Sequence, residues 1–87
     1  MLEFEFDPAK SAANLVKHGI DFDVAQSIWW DPRRIEVPAR TMDEPRWMEI
    51  GQIDGRCWSA AVTYRDDHVR IISVRRSREG EIGIYES

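Results

Sequence analysis

Cysteine is almost missing from this 87-residue chain. Cys57 stands alone, so no internal disulfide can staple the fold, and no oxidising compartment is needed. A single thiol in an apolar stretch reads as a small core residue. Histidine is nearly as scarce: His18 and His68 lie far apart, with no cysteine pair beside them, so neither zinc nor any other metal or cofactor is expected. Long apolar runs are missing too. Nothing approaches the roughly 20 residues of a membrane span, and the opening MLEFEFDPAK has neither the basic start nor the apolar stretch of a secretory signal. The expected location is therefore the cytoplasm. Repeats, low-complexity segments and linkers are absent as well, and the length suits one domain, 1–87.

What is present is enough apolar surface for a folded core, with 43% hydrophobic residues. The net charge of −4 argues against nucleic-acid binding by overall charge, but the charge is unevenly spread. Residues 65–78 hold five Arg against two Asp, a local +3 inside an acidic chain. That distribution fits one basic site on an acidic protein.

Local patterns predict an α+β domain. Phe4-Glu5-Phe6 alternates like a short strand. Asp7-Pro8 supplies a cap and a first helical residue, Ala9, Ala12, Ala13 and Val16 follow at helical spacing, and Gly19 suits the helix end. A second helix is predicted over 22–30, capped by Asp21 and stopped by Asp31-Pro32. Strands are then predicted at about 34–40, 47–53, 57–64 and 69–76, with Asp54-Gly55 as a tight hairpin. Residues 78–86 suit a short final helix, although Gly80 and Gly83 weaken it. The expected architecture is an antiparallel sheet of four to five strands with the two N-terminal helices on one face.

The stretch Ile71-Ile72-Ser73-Val74-Arg75-Arg76 is the most informative chemically. An apolar strand ends in guanidiniums, whose planar donors match phosphate. Simple alternation puts Arg70 and Arg76 on one face and Arg75 on the other. The plain alternative is a solvated edge paired with nearby acids. Lys10, Asn14, Lys17 and His18 form a polar stripe opposite the helix-1 alanines, which fits either RNA contact or an ordinary water-facing side. His18 is a proton-transfer candidate by its ordinary pKa range. Glu81 and Tyr85, four apart, share a face if the last helix forms. Trp29 and Trp30 cannot both point inward, which leaves one for a partner or a base.

These residues together resemble the BrnT family, the toxins of BrnT/BrnA type II toxin–antitoxin systems. One block is Phe4-Glu5-Phe6-Asp7-Pro8 with Lys10, Ala13-Asn14, Lys17-His18-Gly19, Phe22, Ala25 and Asp31-Pro32. The other is Arg70-Ile71-Ile72-Ser73 with Arg75-Arg76, Glu81 and Tyr85. The chain departs from the family pattern at several positions, among them Gly80 and Gly83, which weaken the terminal helix that would position Glu81 and Tyr85. Phe6 stands where Trp is usual, and Arg78 where Ser or Thr is usual. The resemblance implies a RelE-like fold and metal-independent RNA cleavage that stops translation. It also implies neutralisation by a BrnA antitoxin, a DNA-binding ribbon-helix-helix protein, so DNA is met only through the complex. Carried onto this chain, it makes Arg70, Arg75 and Arg76 the basic strand-end residues. Glu81, Tyr85 and His18 are then proton-transfer candidates, Lys10, Asn14 and Lys17 RNA contacts, and Trp29 and Trp30 partner contacts. The alternative is a non-catalytic interaction domain or a degenerate toxin.

Overall fold

The fold is taken from a computed structural model that describes residues 2–40 and 44–87. The chain runs β1 (Glu3–Glu5), α1 (Pro8–His18), α2 (Phe22–Ala25), a 3-10 segment (Gln26–Trp30), β2 (Ile35–Ala39), β3 (Arg46–Ile53), β4 (Arg56–Arg65), β5 (His68–Arg76) and α3 (Glu79–Glu86). Local chemistry explains most of the boundaries. The Asp7 carboxylate accepts from the Ala9 N–H at 2.8 Å, and Pro8 opens the helix. Gly19 closes it at φ 77°, with its N–H on the Leu15 carbonyl. Asp54 and Gly55 both take positive φ, as a two-residue hairpin turn demands. Asp66 and Asp67 do the same without glycine.

The five strands order as β1-β5-β4-β3-β2. The predicted meander is present, but the sheet is mixed rather than antiparallel, because β1 pairs parallel with β5. The two helices carry the chain from β1 across the sheet to its far edge. Four alternating strands then return, and the last runs in the same direction as the first. The core lies between this sheet and the first helices, and is built from Phe22, Ala25, Ile28, Trp58, Ala60, Val62, Val69, Ile71 and Val74 with Ile20. α3 forms despite its two glycines. It docks on the opposite face, where Glu81 meets Ser59 and Arg75.

Helix 1 is inside out relative to its sequence pattern. Ala9, Ala12, Ala13 and Val16 face outward, Val16 at 89% exposure, while Ser11 and Asn14 are buried. The cause is a gap at the sheet edge. β1 ends opposite Arg70, so the outer edge of β5 beyond that point has no strand partner. Asn14 fills the place: its Nδ2 donates to the Val74 carbonyl at 2.9 Å, and its Oδ1 accepts from the Val74 N–H at 3.2 Å. The same Nδ2 donates to the Ile20 carbonyl at 2.8 Å. Ser11 Oγ accepts from the Phe22 N–H and ties α1 to α2. Leaving those backbone groups unpaired costs more than exposing a few methyl groups.

Candidate phosphate-binding site

A one-residue irregularity in β5 decides which arginines share a face. Ala61 pairs with Ser73 and Val62 with Ile71, so Ile72 has no partner and the alternation shifts there. Arg70 opposite Thr63, Ser73 opposite Ala61 and Arg75 opposite Ser59 therefore all point to the α3 side. Arg76 points to the core side, where its guanidinium lies 5.6 Å from the Trp58 ring centre. This reverses the alternation expectation, because a bulge moves every later residue to the other face.

Arg75 is the best-placed of these cations. Its Nη1 and Nη2 donate to Glu81 Oε1 and Oε2 at 2.8 and 2.7 Å, and Nη1 also reaches the Arg76 carbonyl at 3.2 Å. A guanidinium has five N–H donors. Three bonds leave the Nε–H and one Nη2–H, which form the side edge suited to bidentate capture of an oxyanion. The side chain stays about a quarter exposed.

Glu81 is held as firmly as the arginine it holds. Ser59 Oγ donates to its Oε1 at 2.9 Å, which leaves Ser77 as donor in the 2.8 Å contact between the two serines. The Arg78 N–H donates to the same Oε1 at 2.8 Å. Arg75 above all, then the backbone and Ser59, push the Glu81 pKa down to about 2. Such a group stays a carboxylate at neutral pH and is a poor proton carrier. Tyr85 is likewise committed. Its hydroxyl donates to Asp31 Oδ2 at 2.5 Å, and that bond pushes its pKa up to about 12. Arg33 lies 5.6 Å over the Tyr85 ring.

The remaining expected residues do not join this group. Arg70 is paired with Glu5 of β1 at 3.6 Å. Lys10 and Lys17 are exposed on α1, and His18 is half-buried at its end. Asn14, expected as an RNA contact, is instead 6% exposed, with its amide spent on backbone groups. The two tryptophans, both expected as partner contacts, lie in different surroundings. Trp29 packs edge-on against Phe4 at 4.9 Å, while Trp30 is 81% exposed. Ser59, Ser77 and Asp31 escaped a functional reading. Only Asp31 carried a signal, as a helix stop in the family-like block. Among the described residues no group of three His, Cys, Asp or Glu side chains is placed to hold a metal ion. Nor is any helix among them long and apolar enough to cross a membrane.

The fold is thus a small α+β domain whose α3-bearing face carries a guanidinium oriented by Glu81, a group whose donors suit oxyanions. In the sequence comparison, the family model of BrnT ribonuclease toxins of type II toxin–antitoxin systems matches residues 6–81. The chain belongs to this family. Membership carries a toxin's role, with an antitoxin as partner and RNA as substrate. No curated protein matches the chain.

Proposed function

We propose that this protein is a metal-independent RNA endonuclease in which Arg75 stabilises the phosphate during cleavage. The observation that carries the reading is the geometry of Arg75: one edge locked to Glu81, the other free. In the reaction, the 2′-oxygen attacks the adjacent phosphorus in line and the 5′-oxygen leaves, giving a 2′,3′-cyclic phosphate and a 5′-hydroxyl. One proton leaves the 2′-oxygen and one is delivered to the 5′-oxygen. Glu81 and Tyr85 are poorly suited to either transfer because of their shifted pKa values. His18 ends α1, the helix held to the edge of β5 by Asn14. Charge stabilisation by a pre-positioned guanidinium is then the main contribution, with water at the open rim carrying protons. Arg70 adds charge on the same face. Arg76 adds it on the core side and Lys10 and Lys17 on α1, where they help hold the flanking RNA.

The partner in this reading is an antitoxin with a ribbon-helix-helix domain. Its acidic or amphipathic segment covers the Arg75 rim and takes Trp30 as an anchor, while Trp29 stays in the fold. A dimeric ribbon-helix-helix domain would then carry two toxins. Expression of the chain without an antitoxin arrests growth and protein synthesis within minutes. Normal growth at confirmed soluble expression would favour the non-catalytic interaction domain instead.

A further inference from the structure

The core-bearing face of the sheet extends onto β2 and β3, where it holds two acids that RNA cleavage does not use. The register sets Glu36 of β2 directly opposite Glu49 of β3, so both side chains leave the sheet on one side. The Glu49 side chain is 1% exposed, and its Oε2 has no hydrogen-bond partner. The buried Nε of Arg34 has none either, although it lies 3.8 Å from Glu49 Oε1. The Tyr64 hydroxyl donates from β4 to Glu36 Oε2. That bond marks Glu36 as the member that keeps its charge.

Two carboxylates in this position are poorly balanced. One guanidinium at 3.8 Å, not hydrogen-bonded, faces two negative charges, one of them out of water. A single proton resolves the conflict, because a carboxylic acid donates to a carboxylate where two carboxylates repel.

We propose that Glu36 and Glu49 form a proton-binding site, in which one proton carried by Glu49 and shared with Glu36 closes the edge strand β2 onto β3 at neutral pH. Burial first, and then the Glu36 charge, push the Glu49 pKa up to about 8. Its donated bond, followed by that of Tyr64, keeps Glu36 below its ordinary value. Among the described residues, Arg34 is the cation whose charge acts on both acids. The 3-10 segment packed on β3 is Gln-Ser-Ile-Trp-Trp, without charge. α3 packs against the other face, where its Glu81 is already bound to Arg75.

The consequence for stability has a definite sign. Glu49 titrates higher in the folded chain than in the unfolded one, so the folded state holds a proton that the unfolded state releases. Stability is full below the ordinary Glu range, falls as pH rises from there toward about 8, and levels off above. The strand at risk is β2, preceded by Asp31, which holds Tyr85 and thereby α3. Alkaline pH therefore loosens the edge strand and, through Asp31, weakens one tether of α3.

The test compares urea unfolding of the whole protein from pH 5 to 9 with that of Glu49→Gln, which mimics the protonated acid. The ratio of unfolding constants, wild type over variant, should rise about tenfold per pH unit up to about pH 8 and then flatten. His68 titrates equally in both proteins, so its contribution cancels. Glu36→Gln should move the fall to lower pH by removing the like charge. A constant ratio across the range would overturn the proposal. Should Glu49→Gln not fold, carboxyl-carbon resonances of the wild type decide. Glu49 titrating near 8 supports the shared proton, and Glu49 titrating in the ordinary carboxylate range overturns it.

Discussion

Replacing Arg75 with alanine should lower RNA cleavage by about 10²–10³-fold and end toxicity, while the protein stays folded. The size follows from removing one pre-positioned donor to a developing negative charge. Survival of the fold follows from the bonds left on Glu81: Ser59 Oγ and the Arg78 N–H still donate to it, and the carboxylate remains partly open to water. Arg76→Ala should cost less, since Arg76 stacks on Trp58 across the sheet. Cys57→Ala should cost nothing, because Cys57 is half-buried in β4 and no part of the mechanism uses it. Full activity in Arg75→Ala, measured beside a circular-dichroism check of folding, would remove Arg75 from the site.

Asn14→Ala should destabilise the protein by roughly 3 kcal/mol or more. Three backbone groups lose their partner together: the Ile20 carbonyl, the Val74 carbonyl and the Val74 N–H. Each buried orphan costs about 1–3 kcal/mol, and a domain of this size has only roughly 5–15 kcal/mol in hand. Val16→Lys, in contrast, should change stability little, since Val16 faces water. Urea unfolding measures both. A loss below about 1 kcal/mol in Asn14→Ala would mean that water replaces the amide along β5.

The same residue shows where sequence reasoning stopped. Caps, turns and the four later strands were legible because each rests on neighbours a few residues apart. Asp7-Pro8, Gly19 and Asp54-Gly55 are of this kind. The orientation of α1 was not legible, because apolar spacing pointed to the alanines. The deciding interaction joins Asn14 to Val74, 60 positions along the chain. The parallel pairing of β1 has the same origin, since it depends on where the last strand lands. The candidate site was half legible. Its residue types stood out as an arginine-rich strand end, but the bulge at Ile72 regrouped them, and nothing in the local sequence announces a bulge. Glu81 looked like a proton carrier until Arg75, Ser59 and the Arg78 N–H occupied it. The Glu36–Glu49 pairing needs the β2–β3 register, and sequence supplies no such alignment.

The central claim is that this chain cuts RNA by using the RNA's own 2′-hydroxyl, with arginine charge in place of a metal. The most direct measurement incubates the purified protein with single-stranded RNA in EDTA and analyses the ends of the products. The account predicts cleavage that leaves 2′,3′-cyclic phosphate or 3′-phosphate and a 5′-hydroxyl, abolished in Arg75→Ala. Cleavage that requires Mg²⁺ and leaves 5′-phosphates, or intact RNA after incubation with folded protein, would contradict it.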